Sequence, residues 1–206
     1  MSDNKPRFPL DRVDGRWTMS IRRGNSVEFS IPVHEHRAEV TLHYNKTFNQ
    51  NVKGFRSYSI EFRPDFTLVI RTDSAPGNRF IINFDAKYKA KPDDGFDPDQ
   101  DVHDMDPDCW ELDIYKMHTY RDALLHSFGS YILYPGRRGV MYPKPLRDED
   151  WNRRDSFIIP SVGAVPLIPG ETRDDDLDEV LRSVLFEIVG ICIGETDLDI
   201  IMRSGI

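Results

Sequence analysis

Apolar and polar positions alternate along stretches of the first third of the chain. A two-residue period of this kind is typical of half-buried β-strands. It predicts strands over residues 26–32 and 39–44, and a further strand over 57–62. The sequence therefore begins, after a polar start, as a β-rich domain.

The next stretch has the pattern of a β-hairpin. Two apolar-rich runs, 66–70 and 80–84, flank a polar segment at 73–78 that contains Pro76-Gly77. Apolar runs on either side of a short turn predict two antiparallel strands.

Longer periods follow in the second half. Apolar residues at helical spacing predict a helix over 111–128, which Gly129 would end. A second helix is predicted over 174–190, where six apolar residues form one stripe and acidic residues fill the first turn. Continuous apolar runs at 130–134 and 157–168 predict strands. The fold class is therefore α/β, a mixed sheet flanked by helices, with extra N-terminal strands.

Composition limits the class of protein further. The chain has 206 residues with 39% hydrophobic content, which suits one domain at 26–206 preceded by a polar arm at 1–25. Two cysteines are too few for a disulfide framework, so a reducing cytoplasm is expected. The sequence shows no signal-peptide pattern and no apolar run of membrane-spanning length, which predicts no membrane association.

Net charge is −8, but it is unevenly placed. Residues 93–108 include eight aspartates without a lysine or arginine, and 171–179 form a second acidic segment. The rest of the chain carries a net positive charge. An acidic overall balance therefore does not exclude a nucleic-acid substrate.

The ends of the predicted hairpin carry charged side chains. Pro64-Asp65 precedes its first strand, and Asp85-Ala86-Lys87 closes its second. Antiparallel strands bring these two ends together, so the carboxylates of Asp65 and Asp85 are expected a few ångströms apart, at a strand end outside the core. Lys87 lies two positions beyond Asp85 and is expected on the same face.

Two carboxylates and a lysine suit a hard divalent cation and an anionic substrate. Asp65, Asp85 and the carbonyl of Ala86 would bind Mg²⁺ or Mn²⁺. If the anionic substrate is a phosphodiester that water hydrolyses, Lys87 would orient the attacking water or neutralise the negative charge that develops on the phosphate. Lys89, two positions further on, would contact the substrate backbone. The alternative is that both aspartates are ordinary strand-end residues and that Lys87 pairs with one of them.

Four blocks of sequence appear in an order that resembles a known family. They are RPDFTL, FDAKYK, DIYKMHTYRDAL and SYILYPG, within residues 44–170. Pro64-Asp65 followed by Asp85-Ala86-Lys87 resembles the signature of PD-(D/E)XK, or restriction-endonuclease-like, nucleases. The four blocks together resemble the McrC-like branch of that superfamily.

The resemblance implies a restriction-endonuclease-like core and metal-dependent cleavage of DNA, in a bacterial restriction or anti-phage defence system. Lys116 and Tyr120 match the K/Q-x-x-x-Y positions of the helix behind the hairpin, so Lys116 is expected to point at the catalytic site. Such nucleases more often have Gln at the first of these positions. The alternative for Lys116 is a solvent-exposed pair with Asp113.

Basic and aromatic residues beyond the hairpin are candidates for contact with DNA. A basic stretch between residues 137 and 154 suits phosphate contacts, although such a run is as often a solvated loop. The predicted DNA-binding residues are Lys89, Tyr120, Arg121, Arg137 and Arg138.

One departure from the family leaves the site incomplete. These nucleases carry an acidic residue on a helix before the hairpin, but the sequence before residue 58 predicts strands. Glu35, Glu39 and Glu61 are the nearest candidates. The missing acid predicts a protein partner that completes the site. The resemblance to McrC-like nucleases separately implies an AAA+ NTPase subunit as a partner. The alternative is an interaction subunit that keeps the fold and cuts nothing.

Overall fold

The structure is a computed structural model. It describes residues 10–13, 16–19, 23–33, 35–87, 107–135, 139–145, 148, 150–152, 158–167 and 175–192. Lys89, Arg137, Arg138, most of the acidic segment at 93–108 and the start of the predicted arm lie outside the described residues.

Eleven regular elements make up the described part of the chain. In order they are β1 (Leu10–Val13), β2 (Arg16–Met19), β3 (Ser26–Val33), β4 (His36–Tyr44), β5 (Phe66–Thr72), β6 (Phe80–Ala86), α1 (Pro107–Ala123), β7 (Ser127–Tyr134), β8 (Val140–Pro143), β9 (Ser161–Pro166) and α2 (Asp175–Cys192).

Seven of the strands form one mixed sheet in the order β3-β4-β5-β6-β7-β9-β8. Strand β7 pairs in parallel with β6 and β9, and the remaining neighbours are antiparallel. All eight residues of β7 are buried, as expected of a parallel strand covered on both faces. The predicted α/β class with a mixed sheet and flanking helices is confirmed, and the architecture is that of a restriction-endonuclease-like fold.

The hairpin forms as the sequence predicts. Strands β5 and β6 pair antiparallel from Ile70 opposite Phe80 to Phe66 opposite Phe84. The turn between them is closed by backbone hydrogen bonds from Ala75 to Thr72 and from Asn78 to Ala75. The predicted strands at 26–32 and 39–44 are also confirmed, as β3 and β4, and β4 pairs with β5.

The predicted strand at 57–62 is wrong. Ser57 forms an isolated bridge with Leu124, and Phe62 forms another with Phe48, but the segment does not join the sheet. The ring of Phe62 packs edge-on against Tyr120 of α1, with ring centres 5.7 Å apart. The segment therefore covers the helix, because β4 already pairs along β5 at that side of the sheet.

A small two-stranded sheet formed by β1 and β2 lies within the region predicted as an arm. Leu10 pairs with Met19 and Val13 with Arg16. Its two four-residue strands are too short for the alternating pattern to stand out from the surrounding polar residues.

The predicted C-terminal boundary of α1 is also wrong. The helix ends at Ala123, and His126 takes a left-handed backbone conformation with φ of 67°. Residues 127 and 128, predicted as helix, begin β7. Gly129 is a strand residue there, and a Cβ at this position would lie 2.6 Å from the hydroxyl of Tyr131.

The sheet lies between the two helices, and its strands alternate side chains between the two faces. One cluster of buried residues joins Tyr131 and Leu133 of β7 to the apolar stripe of α2, including Val184. A second cluster joins Ile132 and Tyr134 to α1, including Met117. The predicted helix at 174–190 is thus confirmed as α2, and its stripe faces the sheet.

Two contacts hold the far edge of the sheet. The Glu187 carboxylate of α2 accepts hydrogen bonds from the backbone N–H groups of Ile158 and Ile159, at 2.6 and 3.1 Å. Burial raises the pKa of Glu187, and these two hydrogen bonds partly oppose that shift. At Gly163 of β9, a Cβ would lie 2.3 Å from the Val140 carbonyl oxygen of β8, so the close approach of these strands requires glycine.

The central part of the predicted strand at 157–168 is confirmed, as strand β9 (Ser161–Pro166). In the described part of the chain, neither helix has the length and apolar character needed to cross a membrane.

Candidate active site

The hairpin places the two predicted aspartates side by side. Phe66 pairs with Phe84, so Asp65 and Asp85 stand opposite each other one position beyond that pair. The Asp65 carboxylate accepts a hydrogen bond from the backbone N–H of Ala86, at 2.8 Å. This bond holds the segment before β5 against the end of β6.

Asp85 is buried, contrary to the expectation that it lies outside the core. Its side chain is 4% exposed, because α1 covers this end of β6. The charge is balanced by two lysines, one on each carboxylate oxygen. Lys87 Nζ lies 2.5 Å from Oδ2, and Lys116 Nζ lies 2.7 Å from Oδ1. Buried charges in proteins are usually paired with opposite charges in this way.

The second lysine comes from α1, as the resemblance implies. Lys116 and Tyr120 are one helical turn apart and face the sheet together. The Lys116 ammonium contacts Asp85, so an exclusive pair with Asp113 on a solvent face is ruled out. The Tyr120 hydroxyl donates a 3.5 Å hydrogen bond to Asp85 Oδ1. Burial, and then the charges of Asp85 and Asp65, raise the pKa of Tyr120, so the phenol remains a neutral donor.

A buried polar chain supports the strand on which Asp85 lies. Thr67 donates to the Asn83 side-chain oxygen at 3.1 Å, and the Asn83 amide donates to Ser127 at 3.0 Å. These bonds link β5, β6 and β7 two positions before Asp85. The sequence pattern does not predict this network, because Asn83 is a single polar residue within an otherwise apolar strand.

Sequence reasoning missed Asp113 as a residue of this cluster. Its Oδ1 lies 3.6 Å from Lys87 Nζ, and its side chain is only 14% exposed. Asp113 lies three positions before Lys116 on α1, and that spacing was the signal that could have found it. The five charged side chains, Asp65, Asp85, Asp113, Lys87 and Lys116, together carry one net negative charge.

None of the three glutamates considered for the missing acid is described in contact with the aspartates at the hairpin end. Glu39 accepts a hydrogen bond from Ser30 on β3, and Glu61 pairs with Arg63 at 3.0 Å. Glu35 is exposed in the turn between β3 and β4. The structure describes no contact between any of the three and Asp85.

Two of the predicted DNA-binding residues are described with their side chains. Tyr120 is buried, with its hydroxyl on Asp85. The Arg121 side chain is 10% exposed and pairs with Asp122. Direct contact of either with DNA stays a prediction, as it does for Lys89, Arg137 and Arg138.

The donor atoms at the hairpin end are of the type that Mg²⁺ and Mn²⁺ prefer. Asp65 and Asp85 offer carboxylate oxygens beside the backbone of Ala86, and hard divalent cations take oxygen ligands. No three Asp, Glu, His or Cys side chains are grouped as metal ligands in the described ranges. Two carboxylates and a carbonyl can still serve, because Mg²⁺ keeps several waters. The residues present therefore fit a divalent cation.

A mixed sheet that carries two carboxylates and a lysine at a hairpin end, backed by a helix, defines the class of restriction-endonuclease-like nucleases. A family model described as the PD-(D/E)XK nuclease superfamily matches residues 10–139. The match covers more than half of the chain, which therefore belongs to the PD-(D/E)XK nuclease superfamily. No curated protein and no solved structure matched the chain.

Proposed function

We propose that the protein is a metal-dependent DNA endonuclease that hydrolyses phosphodiester bonds. The observation that carries this proposal is the pairing of Asp85 with Lys87 and Lys116 beside Asp65, at 2.5 and 2.7 Å. Membership of a nuclease superfamily supports the reaction class, and the oxygen donors support a divalent cation.

Each charged side chain of the site has a separate role in the proposed reaction. Asp65 and Asp85, with the Ala86 carbonyl, would hold Mg²⁺ or Mn²⁺. When bound, such a cation polarises the scissile phosphate and lowers the pKa of a water molecule. Lys87 supplies a positive charge in the site, where it can orient the attacking water or offset the charge that develops on the phosphate. Lys116 supplies a second positive charge from α1.

Charge balance supports this assignment over an inert ion-pair cluster. The five charged side chains carry one net negative charge, so a divalent cation would turn the cluster net positive. A positive, partly buried cluster attracts a phosphate group. Without the cation, the cluster has little attraction for an anionic substrate.

The biological setting is part of the proposal. On the resemblance of the four sequence blocks to McrC-like nucleases, we assign the protein as the nuclease subunit of a bacterial restriction or anti-phage system, acting with an AAA+ NTPase in the cytoplasm. From the sequence alone, the acidic segment at 93–108 would contact the partner and the basic stretch between residues 137 and 154 would contact DNA.

A plasmid-nicking assay tests the reaction. The wild-type protein, alone and with any co-encoded NTPase, is incubated with supercoiled DNA and Mg²⁺ or Mn²⁺. We expect nicking that EDTA abolishes, and a loss of about 100-fold or more in Asp85→Asn and in Lys87→Ala. Glu111→Gln is the matched control, since Glu111 is an exposed carboxylate on the same helix.

Two results would contradict the proposal. Nicking that survives in both site variants would place the reaction elsewhere or in a contaminant. No metal-dependent nicking under any of these conditions, from a folded wild-type protein with its partner present, would favour the non-catalytic interaction subunit.

A further inference from the structure

Among the described residues, Lys87 has two carboxylate neighbours, and they belong to different elements. Its Nζ lies 2.5 Å from Asp85 Oδ2 on its own strand and 3.6 Å from Asp113 Oδ1 on α1. The shorter distance makes Asp85 the main partner. Asp113 is close enough to take over the ammonium through a small side-chain movement.

The proposed function creates a reason for such a movement. Both oxygens of Asp85 already hold a lysine. A divalent cation that binds Asp85 brings two positive charges against both ammonium groups, and like charges at this range repel strongly in a partly buried site. This repulsion would favour a shift of at least one lysine away from Asp85 when the cation binds.

The two lysines differ in where they can go. The Lys116 side chain is 39% exposed and can turn toward water, whereas Lys87 is 20% exposed and has less access to solvent. For Lys87, Asp113 is the described carboxylate next to its present position. A lysine that moves there stays in the site with its charge balanced.

We propose that Asp113 is a positioning residue that receives the Lys87 ammonium when Asp85 binds the metal, and so keeps Lys87 beside the reacting phosphate. This inference rests on the proposed function.

A double-mutant cycle in metal binding tests the inference independently of cleavage. Calorimetric titration with Mn²⁺ compares the wild type with Asp113→Asn, in the native background and in the Lys87→Ala background. In Asp113→Asn, Lys87 has no second carboxylate and competes for Asp85, so we expect Mn²⁺ affinity to fall about tenfold. In Lys87→Ala the competitor is absent, and the same substitution should change affinity by less than about threefold.

Cleavage kinetics and a conservative variant complete the test. Asp113→Asn should lower kcat with little change in the KM for DNA, and Asp113→Glu should restore most of both metal affinity and kcat. Glu111→Gln, at an exposed position on the same helix, is the control, and circular dichroism and melting temperature show whether each variant is folded.

The outcomes separate this inference from the proposed function. If the wild type binds Mn²⁺ and nicks DNA while Asp113→Asn equals it, Asp113 is a structural partner only and the inference is overturned. An equal loss of Mn²⁺ affinity in both backgrounds also overturns it, since the effect would not pass through Lys87. A folded wild type that neither binds Mn²⁺ nor nicks DNA overturns the proposed function, and this inference with it.

Discussion

Lys116 Nζ lies 2.7 Å from Asp85 Oδ1, which joins the middle of α1 to the end of β6 across 31 residues of sequence. The contact links the helix to the hairpin, beside the apolar packing of α1 on the sheet, and places a positive charge at the buried carboxylate. It also connects two of the four sequence blocks on which the resemblance to McrC-like nucleases depends.

The chemistry of this contact predicts a difference between two substitutions. Glutamine can still donate a hydrogen bond to Asp85, whereas alanine cannot. We therefore expect Lys116→Gln to keep nicking activity within about tenfold of the wild type and Lys116→Ala to lose about 100-fold. The measurement is the rate of metal-dependent nicking, with exposed Lys53→Gln as the control. Equal activity in the alanine variant would remove Lys116 from the catalytic set.

Glu187 predicts a pH-dependent stability. Because the pKa of Glu187 is raised in the folded protein, its ionisation is harder there than in the unfolded chain. The contribution of this group to stability is therefore full below its ordinary pKa and falls as pH rises through the raised pKa.

The uncharged isostere Glu187→Gln can still accept the hydrogen bonds of Ile158 and Ile159 but cannot ionise. The melting temperature of the variant minus that of the wild type should therefore be larger at neutral pH than at pH near 4. Taking the difference removes the effect of the other carboxylates. A difference that is the same at both pH values would show that Glu187 has no shifted pKa.

Gly163 predicts a local packing limit. A Cβ there would lie 2.3 Å from the Val140 carbonyl oxygen, and backbone of a paired strand cannot move aside as a side chain does. Gly163→Ala should destabilise the protein by about 1–3 kcal/mol in urea denaturation. Gly77→Ala in the turn between β5 and β6 is the matched control, because nothing lies within 4 Å of its added Cβ. Equal stability of both variants would mean that β8 does not pack on β9 in solution.

Much of the fold could be predicted from periodicity alone. Strands β3 and β4 and helix α2 have two-residue or helical periods, because each has a more exposed face and a more buried face, and the hairpin is visible as two apolar runs around a turn. The segment at 57–62 shows the limit of this reasoning. It alternates like a strand, but pairing depends on which strand is its neighbour in space, and the local pattern does not contain that information.

The site was predictable where the chain brings residues together locally. Asp65 and Asp85 follow from the hairpin register, and Lys87 follows from the strand period. The burial of Asp85 could not be predicted in this way, because it depends on where α1 packs. Asp113 was missed for the same reason: its spacing from Lys116 is visible, but only the packing of the helix shows that it reaches Lys87.

The two parallel pairings of β7 have a consequence for the order of folding. The hairpin of β5 and β6 needs only contacts between near neighbours in sequence, whereas β7 must close a long connection to pair with β6 and another to pair with β9. Contacts between distant residues form slowly, because the loop must close before they stabilise anything. Asp85 and Lys87 are thus expected to meet early in the hairpin, while Lys116 and Asp113 arrive only when α1 and β7 dock. Asp85 is therefore expected to have one of its two balancing lysines, Lys87, before Lys116 arrives with α1.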